Sequence, residues 1–476
     1  MNNDKKSNYR WTICALLFFA TTINYLDRQV LSLTWTDWIQ PEFHWTNEDY
    51  GDIAGVFSLV YAISMLFAGK FIDWMDTRKG FVWAIFIWSI GACIHALCGI
   101  ATSGLLAGDW LVGFEGAREN IAKVSNTALV ASTSVTLFII ARVVLAIGEA
   151  GNFPAAIKTT AEYFPKKDRG LATSIFNAGA TIGALLAPLS IPFIAAAWGW
   201  EMAFIIIGGL GFVWIGFWLF MYKKPHEHVK VNKAELDYIN QDDFIEQQVS
   251  EKTDQVKIPF LKMFRYKQTW AFAVGKFMTD GVWWFYLFWI PAYLKSVYGL
   301  SSTESAPLIF VLYLITLLSI IGGWLPSYFI SKKNMDPYAG RMRSMLIFAF
   351  FPLLAVFAQP LGTISVWLPV LIIGIAGAAH QAWSANIFSS IGDMFPKSAI
   401  ASVTGIGGMA GGVGSYFINV GSGKLFDYAE ETQMQVLGFV GVHAGYFIIF
   451  CICAVAYLVG WSIMKTLVPR MELIKA

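Results

Sequence analysis

The chain has 476 residues, of which 56% are hydrophobic, 16% aromatic and only 14% charged, with a formal net charge of +2. One soluble core of this size has no use for so much apolar surface, so most of it must meet lipid or other lipid-embedded helices, and a soluble enzyme is all but excluded. The near-neutral charge gives no support to nucleic-acid binding. The five cysteines, Cys14, Cys93, Cys98, Cys451 and Cys453, suggest neither a metal site nor a disulfide framework, and no cofactor is implied.

Long runs free of Asp, Glu, Lys and Arg extend over Trp11 to Leu26, Phe81 to Gly108, Leu171 to Trp200, Met202 to Tyr222 and Ser344 to Ala379. About 20 apolar residues cross the hydrocarbon layer as a helix. Turns placed at charges, prolines and glycine clusters predict twelve spans, at 10–33, 53–72, 81–101, 131–158, 170–194, 200–222, 268–290, 305–328, 344–359, 364–389, 398–420 and 438–464. The ninth and tenth are divided at Ala358-Gln359-Pro360-Leu361-Gly362. The first segment reads as a span and not as a removable signal peptide.

Basic residues fall on one side. Lys5, Lys6 and Arg10 precede the first span. Arg78 and Lys79, then Lys166, Lys167 and Arg169, then Lys332, Lys333, Arg341 and Arg343, then Lys397 occupy the even-numbered connections. The opposite side offers little beyond Arg118, Lys123, Lys295 and Lys424. This bias predicts a multi-pass protein of the bacterial inner membrane with both termini in the cytoplasm.

The polar stretch from about 223 to 267 splits six spans, in 1–222, from six more, in 268–476. It reads as a cytoplasmic linker, with a short surface helix near Lys233 to Gln248. A repeat relates the halves: Phe164-Pro165-Lys166 and Phe395-Pro396-Lys397 each precede a glycine-rich span. At the same offset Thr173 matches Thr404 and Gly183 matches Gly414. The glycines of the fifth and eleventh spans serve either tight packing or smooth faces that open and reclose around a cavity. The outer segment from about Ala101 to Thr127 is unusually long, and its role is not readable.

Ionisable groups inside spans are costly and need partners or a watery cavity. In Asn24-Tyr25-Leu26-Asp27-Arg28, Tyr25 and Arg28 share a helix face and read either as an anion-binding pair or as a purely structural pairing, whereas Asp27 points elsewhere and is free to contact a neighbouring helix. In the fourth span Arg142 and Glu149 occupy one stripe about 10 Å apart along the axis. Glu149 is either a proton-exchanging group or half of a structural charge pair. In the seventh span Lys276 and Asp280 have the spacing of an intrahelical pair. The following Trp283, Trp284, Tyr286 and Trp289 form either an interfacial belt or a ring surface for the apolar face of a sugar-like solute. In the tenth span His380, Gln381, Ser384 and Asn386 would be costly against lipid and suit a polar cavity wall. Tyr61 alone is unspecific.

At these residues the chain resembles the major facilitator superfamily, and within it the anion:cation symporters, which carry organic anions such as hexuronates and aldonates with protons. The resemblance runs from about Tyr9 to Leu467. It implies an all-α membrane protein of twelve transmembrane helices in two pseudo-symmetric six-helix bundles. The superfamily loop motif stands as Gly69-Lys70-Phe71-Ile72-Asp73-Trp74-Met75-Asp76-Thr77-Arg78-Lys79, with Asp76 at the usual glycine position and Asp73 and Arg78 as the gating charges. Asn24 to Arg28, with Arg142-Val143-Val144-Leu145-Ala146-Ile147-Gly148-Glu149-Ala150-Gly151-Asn152-Phe153-Pro154, look like the organic-anion symporters specifically. The resemblance assigns Tyr25, Arg28 and Tyr61 to substrate contact, and Asp27 and Glu149 to proton coupling with Arg142 nearby. Ala180 and Thr404 replace polar residues that some relatives have there.

Ala379-His380-Gln381-Ala382 and Trp289-Ile290-Pro291 look most like hexuronate carriers for galacturonate and glucuronate. Gln381, Ser384 and Asn386 are then candidate hydroxyl ligands. Lys276, Asp280, Trp284, Tyr286, His380 and Thr404 are further cavity residues. The implied partners are protons, a small organic anion and the lipid bilayer, with function as a monomer. Aldonate carriage is the leading alternative, followed by aromatic or dicarboxylic acids, and a membrane-embedded enzyme or a channel is the least consistent with two half-repeats and buried carboxylates.

Overall fold

The structure, a computed structural model, describes residues 6–241 and 259–474, and twelve long helical segments account for most of them. Segment α1 is Tyr9–Arg28; after a break at Gln29 it continues through Val30–Thr34, a π-helical turn Trp35–Ile39 and Gln40–Phe43. Then come α2 (Asn47–Met75), α3 (Thr77–Ala107), α4 (Thr127–Glu149 and Asn152–Tyr163), α5 (Lys166–Trp198) and α6 (Trp200–Met221). The second group is α7 (Lys267–Tyr298), α8 (Ser302–Lys333), α9 (Pro337–Gly362), α10 (Trp367–Met394), α11 (Lys397–Glu431) and α12 (Val442–Leu467). Among the described residues nine of these helices are long and apolar enough to cross a membrane. The three outside that group are α1, α7 and α11: α1 and α7 carry interior charges, as α4 also does, and α11 carries a glycine-rich face.

Two connections take a form that the predicted spans did not include. Ala358–Gly362 is helical, and the connection falls at 363–366. Pro360 lies in the first turn of that short helix, where backbone N–H groups have no intrahelical partner to lose, so the proline does not end it. Between α3 and α4 the chain forms a further helix, Phe114–Ala122. Its Arg118 pairs with Glu201 (2.5 Å) and Glu42 (3.4 Å), and the Trp200 indole donates to Glu42 (2.8 Å). The long segment is thus bolted to the ends of α1 and α6.

The linker is also docked. Its helix is Lys233–Ile239, and the part of the expected surface helix beyond residue 241 lies outside the described residues. Asn8 offers no side-chain cap to α1, so the first N–H groups would be unpaired. Buried Glu235 accepts from Tyr9 N (3.1 Å), Arg10 N (3.2 Å) and the Arg10 guanidinium (3.0 Å), capping α1 from the linker. A carboxylate there also complements the positive end of the helix dipole.

The two Phe-Pro junctions share one geometry: Pro165 has φ −63° and ψ 156°, Pro396 has φ −63° and ψ 149°, and each is the N-cap of a long helix. At the turn between α2 and α3, Asp76 has φ 68°, a conformation that a glycine would adopt without steric cost. The expected gating residues are not partners of one another. Asp73 pairs with Lys158 of α4 (2.8 Å), and Arg78 donates to the Leu219 carbonyl of α6 (2.6 Å), because the turn puts them on different helices.

Helices α1 to α6 pack mainly on each other, as do α7 to α12, and the broadest contact between the two groups is α2 against α11. Glycines set that approach: a Cβ on Gly412 would lie 2.2 Å from Cβ of Ala62, and one on Gly51 would lie 2.7 Å from the Asn419 carbonyl. Gly407, Gly411 and Gly414 instead face α7. At the end of the bundle remote from the linker the groups are tied by polar contacts. Asp427 of α11 accepts from Asn47 N (3.1 Å) and Glu48 N (2.6 Å), capping α2 across the interface. Lys295 pairs with Asp37 (2.8 Å), and the Tyr50 hydroxyl donates to the Phe288 carbonyl (2.8 Å). Among the described residues no ion pair or hydrogen bond joins the two groups at the linker end.

Two stability outcomes follow from these contacts. A Cβ on Gly148 would sit 2.3 Å from Trp88 N and 2.8 Å from the Ala84 carbonyl, both backbone atoms, whereas Gly209 faces open space. Gly148→Ala should therefore lower the detergent melting temperature, at a cost of about 1–3 kcal/mol for overpacking, and Gly209→Ala should not. Equal melting of the two variants would refute the close approach of α3 and α4. At the far end, beyond the first span, burial pushes Glu42 up to about 7 from 4.5 despite Arg118 and Trp200. A carboxyl raised in the folded state contributes stability that is fully present below 4.5 and is lost as pH rises through about 7. Wild type should therefore lose melting temperature relative to Glu42→Gln between about pH 5 and about pH 8. Parallel curves would show that Glu42 does not titrate in this window.

Candidate functional site

Both charged motifs of the first six helices sit at helix interruptions. The α1 ladder breaks at Gln29, directly after Arg28, and α4 breaks at 150–151, directly after Glu149. Irregular backbone at this depth is tolerated where it is buried in protein or lines a cavity. Arg28 in the last turn of its helix segment is also favourably placed toward the negative end of the dipole.

Arg28 meets Glu149, with Nε at 2.9 Å and Nη2 at 2.7 Å from the same carboxylate oxygen. The side chains are 3% and 0% exposed, so this is a desolvated ion pair. Arg142, two turns away on the same helix as Glu149, is not its hydrogen-bonding partner; α1 crosses α4 and delivers Arg28 sideways to the carboxylate. Around the guanidinium stand Tyr61 (4.7 Å to the ring centre), Tyr25 (5.0 Å), Trp284 (5.0 Å) and Phe57 (5.7 Å). The structure thus brings Tyr25, Arg28, Tyr61, Glu149 and Trp284 together, with Trp284 contributed by the second group of helices. Cation–π contact with several rings steadies a guanidinium without consuming its remaining N–H donors.

Beside this pair lies a second polar cluster. Both oxygens of Asp27, Nε and Nη1 of Arg142 and the remaining oxygen of Glu149 are buried without a hydrogen-bond partner among the described residues. Both amide atoms of Asn24 and Asn152 share that condition, and each residue is fully buried. Sequence reasoning did not single out these two asparagines. The signal was present, since Asn24 precedes Asp27 by three residues and Asn152 follows Glu149 by three, which places each on the stripe of its charged neighbour. Unpaired buried polar groups are expensive, so each of these atoms calls for a water, a proton or a ligand group to satisfy it.

In the second group, Lys276 and Asp280 form the expected intrahelical pair at 2.7 Å. Lys276, Asp280 and Trp284 follow one stripe of α7 toward the aromatic cluster. Gln381, Ser384 and Thr404 are half-buried. Three other expected cavity residues are used differently. The Asn386 amide donates to the Gly322 and Ala382 carbonyls, both at 2.8 Å, fastening α10 to α8. His380 bonds the Tyr457 hydroxyl through Nδ1 at 2.8 Å and stacks on Trp283, bracing α7, α10 and α12. Tyr286 is 1% exposed and turned toward α12 beside Cys453 and Tyr457. Periodicity marks such residues as interior but does not distinguish a cavity wall from a contact between helices. Among the described residues no group of His, Cys, Asp and Glu has the geometry to hold a metal ion.

A helical membrane bundle with a buried ion pair close to where its two groups of helices meet has the organisation of a carrier. The sequence model of the Major Facilitator Superfamily matches residues 17–419, and the chain belongs to that family: it is a multi-pass membrane transporter and not an enzyme. The chain is 27% identical over 428 residues to the hexuronate transporter of Escherichia coli K12, covering 89% of each. It is 25% identical over 426 residues to a probable galactarate/D-glucarate transporter of Bacillus subtilis, covering 88% of this chain and 84% of that one. Among solved structures, a bacterial homologue of the human lysosomal transporter Spinster, in an inward-facing and occupied conformation, shares the fold. Its TM-score is 0.67 at 17% identity, covering 99% of this chain and 100% of that one.

The ion pair yields a stability test. Removing one partner of a buried pair leaves an uncompensated charge and costs about 3–5 kcal/mol, whereas removing both is often near neutral. Arg28→Met should lower the detergent melting temperature, and Arg28→Met combined with Glu149→Leu should recover most of the loss. Additive losses in this double-mutant cycle would mean that the two side chains are not coupled.

Proposed function

We propose that the protein is a proton-coupled symporter that imports sugar acids, with hexuronates such as galacturonate and glucuronate as its substrates. It works by alternating access between halves 1–222 and 268–476 joined by the linker 223–267. The observation that carries this reading is the Arg28–Glu149 pair under Tyr25, Tyr61 and Trp284. Protonation of Glu149 removes the carboxylate that competes for Arg28, and a substrate carboxylate takes its place in a bidentate, charge-assisted contact. The rings offer an apolar face for the sugar, and Gln381 and Ser384 contact its hydroxyls. Asp27 and Arg142, with Asn24 and Asn152, form the relay that loads and unloads the proton. The similarity to the hexuronate transporter supports the substrate class.

Energetics favour symport. A monoanion entering a negative-inside cell alone is opposed by about 2.3 kcal/mol per 100 mV, and one accompanying proton cancels that term. The positive-inside pattern puts the linker and both termini in the cytoplasm of a bacterium, with the protein in its inner membrane acting as a monomer. In that orientation closure at the far end corresponds to the inward-facing state. Asp73 and Arg78 then belong to the cytoplasmic surface that closes when the carrier faces outward.

Reconstituted vesicles test the coupling. Glu149→Gln should lose pH-gradient-driven accumulation of galacturonate by about ten-fold or more, which corresponds to about 1.4 kcal/mol, while counterflow exchange persists. Undiminished accumulation with the same proton stoichiometry would remove Glu149 from the coupling mechanism.

A further inference from the structure

We infer that Lys276 and Asp280 form a second anion subsite, which receives the distal carboxylate of a six-carbon dicarboxylate, so that hexarates are carried as well as hexuronates. The inference rests on the reading of Arg28 as the first anion site.

Lys276 is 5% exposed and closes on Asp280 at 2.7 Å inside a membrane-spanning helix. A buried pair of this kind contributes little to stability compared with apolar residues of the same volume, so its presence calls for another use. Its position supplies one. Lys276 and Trp284 lie on one stripe of α7, about 12 Å apart along the helix axis, and the Trp284 ring stands 5.0 Å from the Arg28 guanidinium. A six-carbon chain with a carboxylate at each end, plus one hydrogen bond at each end, bridges a separation of that order. A hexuronate has only one carboxylate and would leave the far cation with Asp280.

The surroundings also fit exchange. The Asp280 carboxylate lies against Gly411 of α11, where a Cβ would be 2.2 Å from Oδ2, so the glycine keeps the room that the carboxylate occupies. The Lys276 ammonium sits 4.4 Å from the centre of the Phe388 ring, a contact that it keeps when Asp280 lets go. The other titratable groups around the pair are His380 of α10, Tyr457 of α12 and Tyr25 across the interface on α1.

The two subsites follow the same rule. Each holds a cation whose resident carboxylate competes with the substrate, and each is freed by one proton. A hexuronate discharges only Arg28 and enters with one proton. A hexarate discharges both cations and enters with two, so either cargo crosses without net charge.

The test uses the full-length protein in proteoliposomes, with labelled galacturonate and labelled galactarate under the same inward pH gradient. Wild type should take up both, and galactarate should enter with one more proton than galacturonate. Lys276→Gln combined with Asp280→Asn removes both charges and leaves polar side chains in their place. It should lower the galactarate-to-galacturonate uptake ratio by about ten-fold or more, the expected loss of one charge-assisted contact. Lys276→Arg should hold the ratio within about three-fold, since a cation remains. Wild type that carries galacturonate but not galactarate, equal proton counts for the two, or an unchanged ratio in the double variant would each overturn the inference and leave the hexuronate reading intact. Uptake of neither substrate would refute the hexuronate reading itself. The proton count is made on wild type, so the inference stays falsifiable even if the double variant does not insert.

Discussion

Arg28 and Glu149 constrain everything around them. A guanidinium and a carboxylate almost fully removed from solvent cannot be left unmatched, and each has the other as its nearest counter-charge. The pair joins α1 to α4 at the points where both helices are interrupted. Rings from α1, α2 and α7 exclude water from the guanidinium while leaving donors able to change partner. A pair that is strong only when both members are charged is a pair that a proton can open.

The bundle around this pair is built for close approach and for separation. Glycines let α11 press against α2 and α7, and backbone contacts of this kind depend on shape, since lipid offers no hydrophobic penalty to drive helices together. Polar clasps accumulate at the far end instead. Asp427 caps α2 from the other half, and Asp37 holds Lys295. These contacts are partly exposed and individually weak. By contrast, Arg118 ties segments within the first half, and buried Glu235 ties the linker to it.

Buried polar groups fall into two kinds here. Asn386, His380 and the Trp289 indole have fixed partners and hold helices at set distances. Asn24, Asp27, Arg142 and Asn152 lack partners among the described residues, although they are as deeply buried. The first kind braces the second half, and the second lies beside the Arg28–Glu149 pair.

Much of the architecture is local in origin and was legible in the sequence. Apolar runs and breakers set the number of spans, the Phe-Pro repeat marked matching helix starts, and helical spacing put Tyr25 beside Arg28 and joined Lys276 to Asp280. What the sequence did not determine was every partnership between helices. Glu149 joins Arg28 and not Arg142, Asp73 and Arg78 go to different neighbours, and Asn386, His380 and Tyr286 turn into helix contacts. The end of the ninth span also escaped, because a proline in a first turn costs no hydrogen bond. The physical reason is common to these cases. Helical period assigns a side chain to a face, but which residue it meets depends on the crossing and axial register of two backbones, and those are set by glycine contacts and buried charges far apart in the chain.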